Sequence, residues 1–161
     1  MSAIRPVRIG IVSTARIARE HVIPGFRTTP WLDVAAIASR SLESAQAAAA
    51  ALGIAKAHGS YEALLADPDI EAVYIPTPND SHVDLALAAG RAGKHVISEK
   101  PAGMNAADAR RLLDLPKGII YLEAFMVRFH PQWLKVRELV RAGRIGTPLG
   151  VQAWFSYFLT D

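Results

Sequence analysis

Apolar, β-rich runs alternate with helical stretches of about ten residues along most of this chain, and no other feature restricts the fold as tightly. The runs VRIGIV (7–12), LDVAAIA (32–38), AKAHG (55–59), EAVYIPT (71–77), KHVISEKP (94–101) and GIIYLEAF (118–125) read as strands. Between them lie ARIAREHVIPGF, expected to bend or end before Pro24, and SLESAQAAAAALG, with Ser41 as N-cap and Gly53 as its stop. SYEALLAD follows with Ser60 as cap, then DSHVDLALAAGRAG with Asn79 as cap, and NAADARRLLDL from Asn105 to the break at Pro116. Parallel strands need crossover connections, and helices supply them, so the fold class is α/β: a doubly wound parallel sheet.

The pattern changes after Phe125. HPQWLKVRELVRAGRIG reads as an amphipathic helix with Pro131 in its first turn and Trp133, Val136, Leu139 and Val140 on one face. Val151, Ala153, Phe155, Tyr157 and Leu159 then alternate against Gln152, Trp154, Ser156 and Phe158, which predicts a strand. One strand cannot stand alone. The expected division is therefore residues 1–124 as one domain and 125–161 as a linking helix with the first strand of a second, otherwise absent, α+β domain. The connection LLDLPKGIIY before the sixth strand is short.

Composition narrows the partners. The 161 residues are 51% hydrophobic and 20% charged, a globular balance with enough length for a core. No cysteine is present, so thiolate metal sites and disulfides are excluded and a cytoplasmic setting is expected. The N-terminal residues MSAIRPVRIG contain no apolar signal segment, and no apolar run approaches the roughly 18 residues of a membrane span. The net charge of +3 is dispersed, its densest group (Lys135, Arg137, Arg141, Arg144) lying on the polar side of one helix. Neither nucleic acid nor membrane is an expected partner. No metal-ligand spacing is found, so no metal site is expected.

The first strand runs into STARIA, where a dinucleotide-binding turn would carry G-x-G-x-x-G. Ser13, Ala15 and Ala18 hold the three glycine slots, and their small side chains keep most of the clearance. Phosphate binding at a helix N-terminus belongs to the main chain and the helix dipole, so the motif survives as a candidate phosphate turn. Packing alone would explain it equally well. The end of the second strand reads Ser39-Arg40-Ser41, without the carboxylate that binds a ribose hydroxyl; Asp33 lies at the wrong end of that strand. A guanidinium between two hydroxyls suits a 2′-phosphate, though a solvated loop cation has the same sequence. After the fourth strand, Thr77, Pro78, Asn79 and His82 fall on a stiffened loop at the carboxyl edge, where His82 is either a ligand group or a helix-face residue. Lys100, between Glu99 and Pro101, closes the fifth strand. A lysine part-desolvated in a crevice can move a proton; a surface lysine cannot be distinguished from it by sequence.

Together these elements resemble the glucose–fructose oxidoreductase and inositol dehydrogenase (Gfo/Idh/MocA) family over about Val7 to Phe158. Glu99-Lys100-Pro101 matches its most specific motif, and TPNDSH matches its loop with Asn79 and His82. EAFMVRFHPQW, STARIA and SRS look like the branch that contains NADP-dependent xylose dehydrogenase and dimeric dihydrodiol dehydrogenase. The resemblance implies a Rossmann-type domain binding NADP rather than NAD. Pyrophosphate would meet the turn at Ser13, Thr14, Ala15, Arg16 and Ile17, and the 2′-phosphate Ser39, Arg40 and Ser41. Thr77, Pro78, Asn79, His82 and Glu99 would complete the cofactor site. Lys100 would be the catalytic group, holding the substrate hydroxyl and moving its proton, with Glu99 and Pro101 positioning it. Arg128 and His130 would line the nicotinamide end or serve only as the start of the joining helix. The implied substrate is a sugar, polyol or cyclic diol, and the full-length protein is implied to be a homo-oligomer. Two function classes follow: an NADP-dependent oxidoreductase acting on CH–OH groups, or a non-catalytic nucleotide-binding module. The Lys100–Pro101 peptide is as open to cis as to trans.

Overall fold

The computed structural model describes residues 5–158. The chain divides into two compact units, Met1–Ala124 and Phe125–Asp161.

In the first unit, six strands form one sheet in the order β3-β2-β1-β4-β5-β6. They are β1 (Val7–Val12), β2 (Leu32–Ala38), β3 (Lys56–His58), β4 (Ala72–Ile75), β5 (His95–Ser98) and β6 (Tyr121–Glu123). Every neighbouring pair is parallel. Strands β2 and β3 spread to one side of β1 and the last three strands to the other, so the order reverses between β1 and β4. Ligand crevices of open α/β sheets lie at such a reversal, outside the carboxyl ends of the strands.

Alternating side chains of the central strands feed two cores. On one face Ile9, Ile11, Ile37 and Tyr74 pack with Ala18 and Ile23 from the first crossover and Ala48 and Ala49 from α2 (Leu42–Leu52). On the other, Val12, Val73 and Ile75 pack with Leu64 and Leu65 of α3 (Tyr61–Leu65) and Ala86 and Ala89 of α4 (His82–Arg91). Gly10 faces this second core, where a Cβ would come within 2.8 Å of a Leu64 methyl. A full side chain there would have to displace α3.

The caps follow the sequence. Ser41, Ser60 and Asn105 accept hydrogen bonds from the backbone N–H groups of Ser44, Ala63 and Asp108, and Gly53 ends α2 at φ 62°.

Four expectations are corrected. The first crossover helix does not stop before Pro24: it continues as α1 (Ile23–Phe26) after a π-turn over Ala18–Val22, in which the Ile23 N–H reaches back to Ala18 O. The proline, lacking an N–H, falls where the helical ladder is already widened. Asn79 forms no side-chain cap; Asn79–Ser81 is a 3₁₀ turn, and Ser81 Oγ instead donates to either Thr77 Oγ1 or Pro78 O, each at 2.7 Å. The sixth strand shrinks to Tyr121–Glu123 because the preceding residues turn at Gly118 (φ 90°), and α5 (Ala106–Arg110) tightens into a 3₁₀ turn before Pro116.

The fourth correction lies in the second unit. It contains a 3₁₀ turn, Met126–Phe129, and α6 (Pro131–Arg141), but residues 151–158 form no strand. Their alternation has no partner strand among the described residues, and an unpaired strand gains no ladder hydrogen bonds. Leu159, the last of that alternating set, lies outside the described residues. Trp154, Phe155 and Phe158 are 85–90% exposed.

Candidate functional site

Parallel pairing brings the ends of β1, β2, β4 and β5 to one edge. There a cleft of about 420 Å³ is lined by Ser13, Thr14 and Ala15 from the first turn, Ser39 and Arg40 from the second, and Thr77 and Pro78 from the loop after β4. These residues are separated by up to 65 positions in sequence and meet in one cavity.

Ser13 carries the strain of the substituted motif. Its φ is 131°, the only positive φ outside glycine among the described residues. The turn thus keeps the backbone path that glycine allows freely, at a cost of about 1–3 kcal/mol for a residue with a Cβ. Part of that is offset locally, since Ser13 Oγ accepts from the Ala15 N–H at 3.2 Å. Arg16 and Ile17 begin the helix just beyond, and Ile17 is 42% exposed. The Arg16 guanidinium pairs with Glu20 at 2.8 Å, away from the cleft lining. Hydrogen bonding to Glu20, and then its charge, hold the Arg16 pKa above the usual value.

Arg40 is exposed at the cleft and enters no ion pair among the described residues. Ser41 does not line the cleft; its hydroxyl caps α2. Asn79 is exposed and also lies outside the lining.

Behind the cleft, His82 is buried at 1% exposure, neither a surface residue nor a cleft wall. Its Nε2 lies 2.9 Å from Thr77 O and its Nδ1 2.9 Å from Pro101 O. The lysine turn is anchored at further points. The Tyr74 hydroxyl donates to Glu99 Oε1 at 2.7 Å, and the Ala102 N–H donates to Glu123 Oε1 at 2.8 Å. Burial first, and then the Glu99 carboxylate, push the Tyr74 hydroxyl well above the usual phenol range, so it stays a donor. The Lys100–Pro101 peptide is cis. Lys100 itself is exposed and lies outside the cleft lining rather than enclosed in a crevice.

Arg128 lies in the second unit, where it lines a separate cavity of about 220 Å³ with Trp133 and Arg137. His130 caps α6 there, its Nδ1 accepting from the Gln132 N–H at 3.2 Å.

Sequence reasoning missed four cleft residues: Tyr61, Pro76, Asp80 and Ser81. Tyr61 follows β3, whose carboxyl end opens to the same edge as the others, so its topological position was the available signal. Asp80 is the single carboxylate in a lining otherwise neutral or cationic.

Residues 7–118 match the family model described as "Oxidoreductase family, NAD-binding Rossmann fold" (Gfo/Idh/MocA). The chain belongs to this family. It is 47% identical over 152 residues to an uncharacterised oxidoreductase of Rhizobium meliloti, covering 93% of this chain and 46% of that protein. It is 44% identical over 154 residues to an NADP-dependent D-xylose 1-dehydrogenase of Haloferax volcanii, covering 94% and 47% respectively. Among solved structures, a 3-ketoreductase from Actinomadura kijaniata in complex with NADP superposes with a TM-score of 0.78 at 36% identity, over 88% of this chain and 45% of that one. The chain thus spans about half the length of the curated relatives it matches. No helix among the described residues is long and apolar enough to cross a membrane.

Proposed function

We propose that residues 1–124 form the NADP-binding domain of an oxidoreductase that transfers hydride between the cofactor and a CH–OH group of a sugar, polyol or cyclic diol. The observation that carries this is the cleft at the β1/β4 reversal, lined by both the strained Ser13 turn and Arg40, which has no ion-pair partner among the described residues. The residues fit the group. The first-turn amides of a helix suit a pyrophosphate, and a guanidinium at the end of β2 with no ion-pair partner among the described residues, where the sequence Ser39-Arg40-Ser41 carries no carboxylate, suits a 2′-phosphate.

In this reading the turn Thr14, Ala15, Arg16 and Ile17 meets the pyrophosphate, with the backbone N–H groups of Thr14, Arg16 and Ile17 as donors and that of Ala15 held by Ser13 Oγ. Ser39 and Arg40 hold the 2′-phosphate, while Thr77 and Pro78 form the opposite wall, with Asn79 beside them on the same loop. When bound, the nicotinamide accepts or supplies the hydride. Lys100, aimed by Glu99 and Pro101, holds the substrate hydroxyl and exchanges its proton. Residues 125–161 are the joining helix and the start of a second domain that builds the substrate pocket and the homo-oligomer contact. The relatives' length and their names, which include sugar and diol dehydrogenases, support this division. The cysteine-free composition supports a cytoplasmic setting.

Calorimetric titration with NADP and NAD tests the assignment. NADP should bind ten- to a hundredfold more tightly, matching the roughly 1.5–3 kcal/mol of a charge-assisted contact. Arg40→Ala should remove most of that margin and leave NAD affinity unchanged. Equal losses for both cofactors would refute the role of Arg40.

A further inference from the structure

Three residues from three separate elements fix the backbone around Lys100: Tyr74 on β4 through Glu99, Glu123 on β6 through Ala102, and His82 on α4 through Pro101. Only His82 has a second attachment. Its other ring nitrogen faces the carbonyl of Thr77, which lines the cleft. The ring is buried and Thr77 with it, so the Thr77 contact lies away from solvent.

We propose that His82 is a positioning residue that clasps the Lys100 turn to the cleft-lining loop, so that occupancy of the cleft is transmitted to the lysine. The proposal deepens the NADP-site reading and rests on it for the identity of the ligand. A histidine that served only as packing would need neither carbonyl contact. Here both ring nitrogens lie at hydrogen-bond distance from a carbonyl, and the two carbonyls belong to different loops of the same edge; because a carbonyl only accepts, holding both at once takes a hydrogen on each ring nitrogen. Buried polar contacts of this kind fix side-chain and loop geometry because breaking one leaves a carbonyl unsatisfied.

The two contacts can be cut separately. Asparagine places its amide nitrogen near the Nδ1 position and glutamine places its own near Nε2. His82→Asn therefore keeps the Pro101 link and releases Thr77, whereas His82→Gln does the reverse. In the ligand-free chain, amide exchange followed by NMR should rise about fivefold at Lys100 and Ala102 in His82→Gln, the effect of losing one ordinary hydrogen bond. In His82→Asn the rise should appear instead at Ser81, whose N–H bonds to Pro78 O in the cleft loop.

Adenosine 2′,5′-bisphosphate then tests transmission, because it fills the Arg40 end of the cleft and carries no nicotinamide to touch the lysine directly. With lysines labelled by ¹³C reductive methylation, the probe should shift the Lys100 signal in the parent chain. Both variants should bind the probe and lose that shift. Identical exchange changes in the two variants, or a Lys100 shift preserved in both, would overturn the clasp. Failure of the parent chain to bind the probe would overturn the NADP reading instead, and the ligand-free exchange pattern would then decide the clasp alone.

Discussion

The two edges of the sheet treat charge in opposite ways. Along the amino edge, ionic side chains find partners: Arg8 faces Asp33 at 3.9 Å and Asp69 at 3.5 Å, and Arg5 pairs with Glu71. Lys56 bridges Asp67 at 2.9 Å and Asp69 at 2.5 Å. Buried Lys94 donates to the carbonyls of Asp67 and Ile70, both at 2.8 Å. At the carboxyl edge, Arg40 and Lys100 are exposed and unpaired among the described residues, and Ser13 holds a strained φ. The amino edge pairs its cations, and the carboxyl edge leaves Arg40 and Lys100 available. Stability and binding are thereby assigned to opposite ends of the same strands, and substitutions should separate them.

The largest effect should come from Lys94→Met, which leaves two buried carbonyls without their charged donor. Urea unfolding should show a loss of about 3 kcal/mol, with NADP affinity unchanged. A matching loss of affinity would break the separation of the two edges.

Acid should act at the same edge. Burial pushes the Asp67 carboxyl up, but hydrogen bonds from Lys56, the Asp69 N–H and His58 outweigh it and bring the pKa down to about 2, against an ordinary 3.8. A depressed carboxyl stabilises the fold above its unfolded value, and that contribution is lost as pH falls through its folded one. Stability should therefore drop by about 2 kcal/mol as pH falls from near 4 to about 2, in low salt. Asp67→Asn, measured over the same range, should lack this step.

The smallest effect belongs to the carboxyl edge. Ser13→Gly removes a Cβ from a positive-φ position and should raise stability by about 1 kcal/mol after the added freedom of the unfolded chain is counted. A loss of stability would show that the Ser13 hydroxyl on the Ala15 amide outweighs the strain, and would sharpen the contrast between edges.

Much of this was legible in the sequence, for reasons specific to each part. The strands around Ile9, Val34 and Val73 are buried on both faces, so their unbroken apolar runs identify them. Ser41, Ser60 and Asn105 are local caps that depend on three neighbouring residues. Asn79 failed as a cap because it lies inside the 3₁₀ turn Asn79–Ser81, which begins one turn before α4 and has Pro78 at its own N-terminal boundary. The contribution of Tyr61 to the cleft depends on the sheet closing β3 beside β2, which no local pattern encodes. Residues 151–158 alternate like a strand, but strand formation is a property of pairs, and the alternation describes one partner only.

The reversal between β1 and β4 has a mechanical consequence. The segment carrying Ser39, Arg40 and Tyr61 lies on one side of that reversal, and the segment carrying Thr77 and Pro78 on the other. The sheet joins the two through a register of three residue pairs, Ile9↔Ala72, Gly10↔Val73 and Ile11↔Tyr74. A molecule seated across the cleft therefore splices the halves of the domain together at the edge opposite Arg8 and Lys94. Its binding energy is added to the cohesion of the whole sheet.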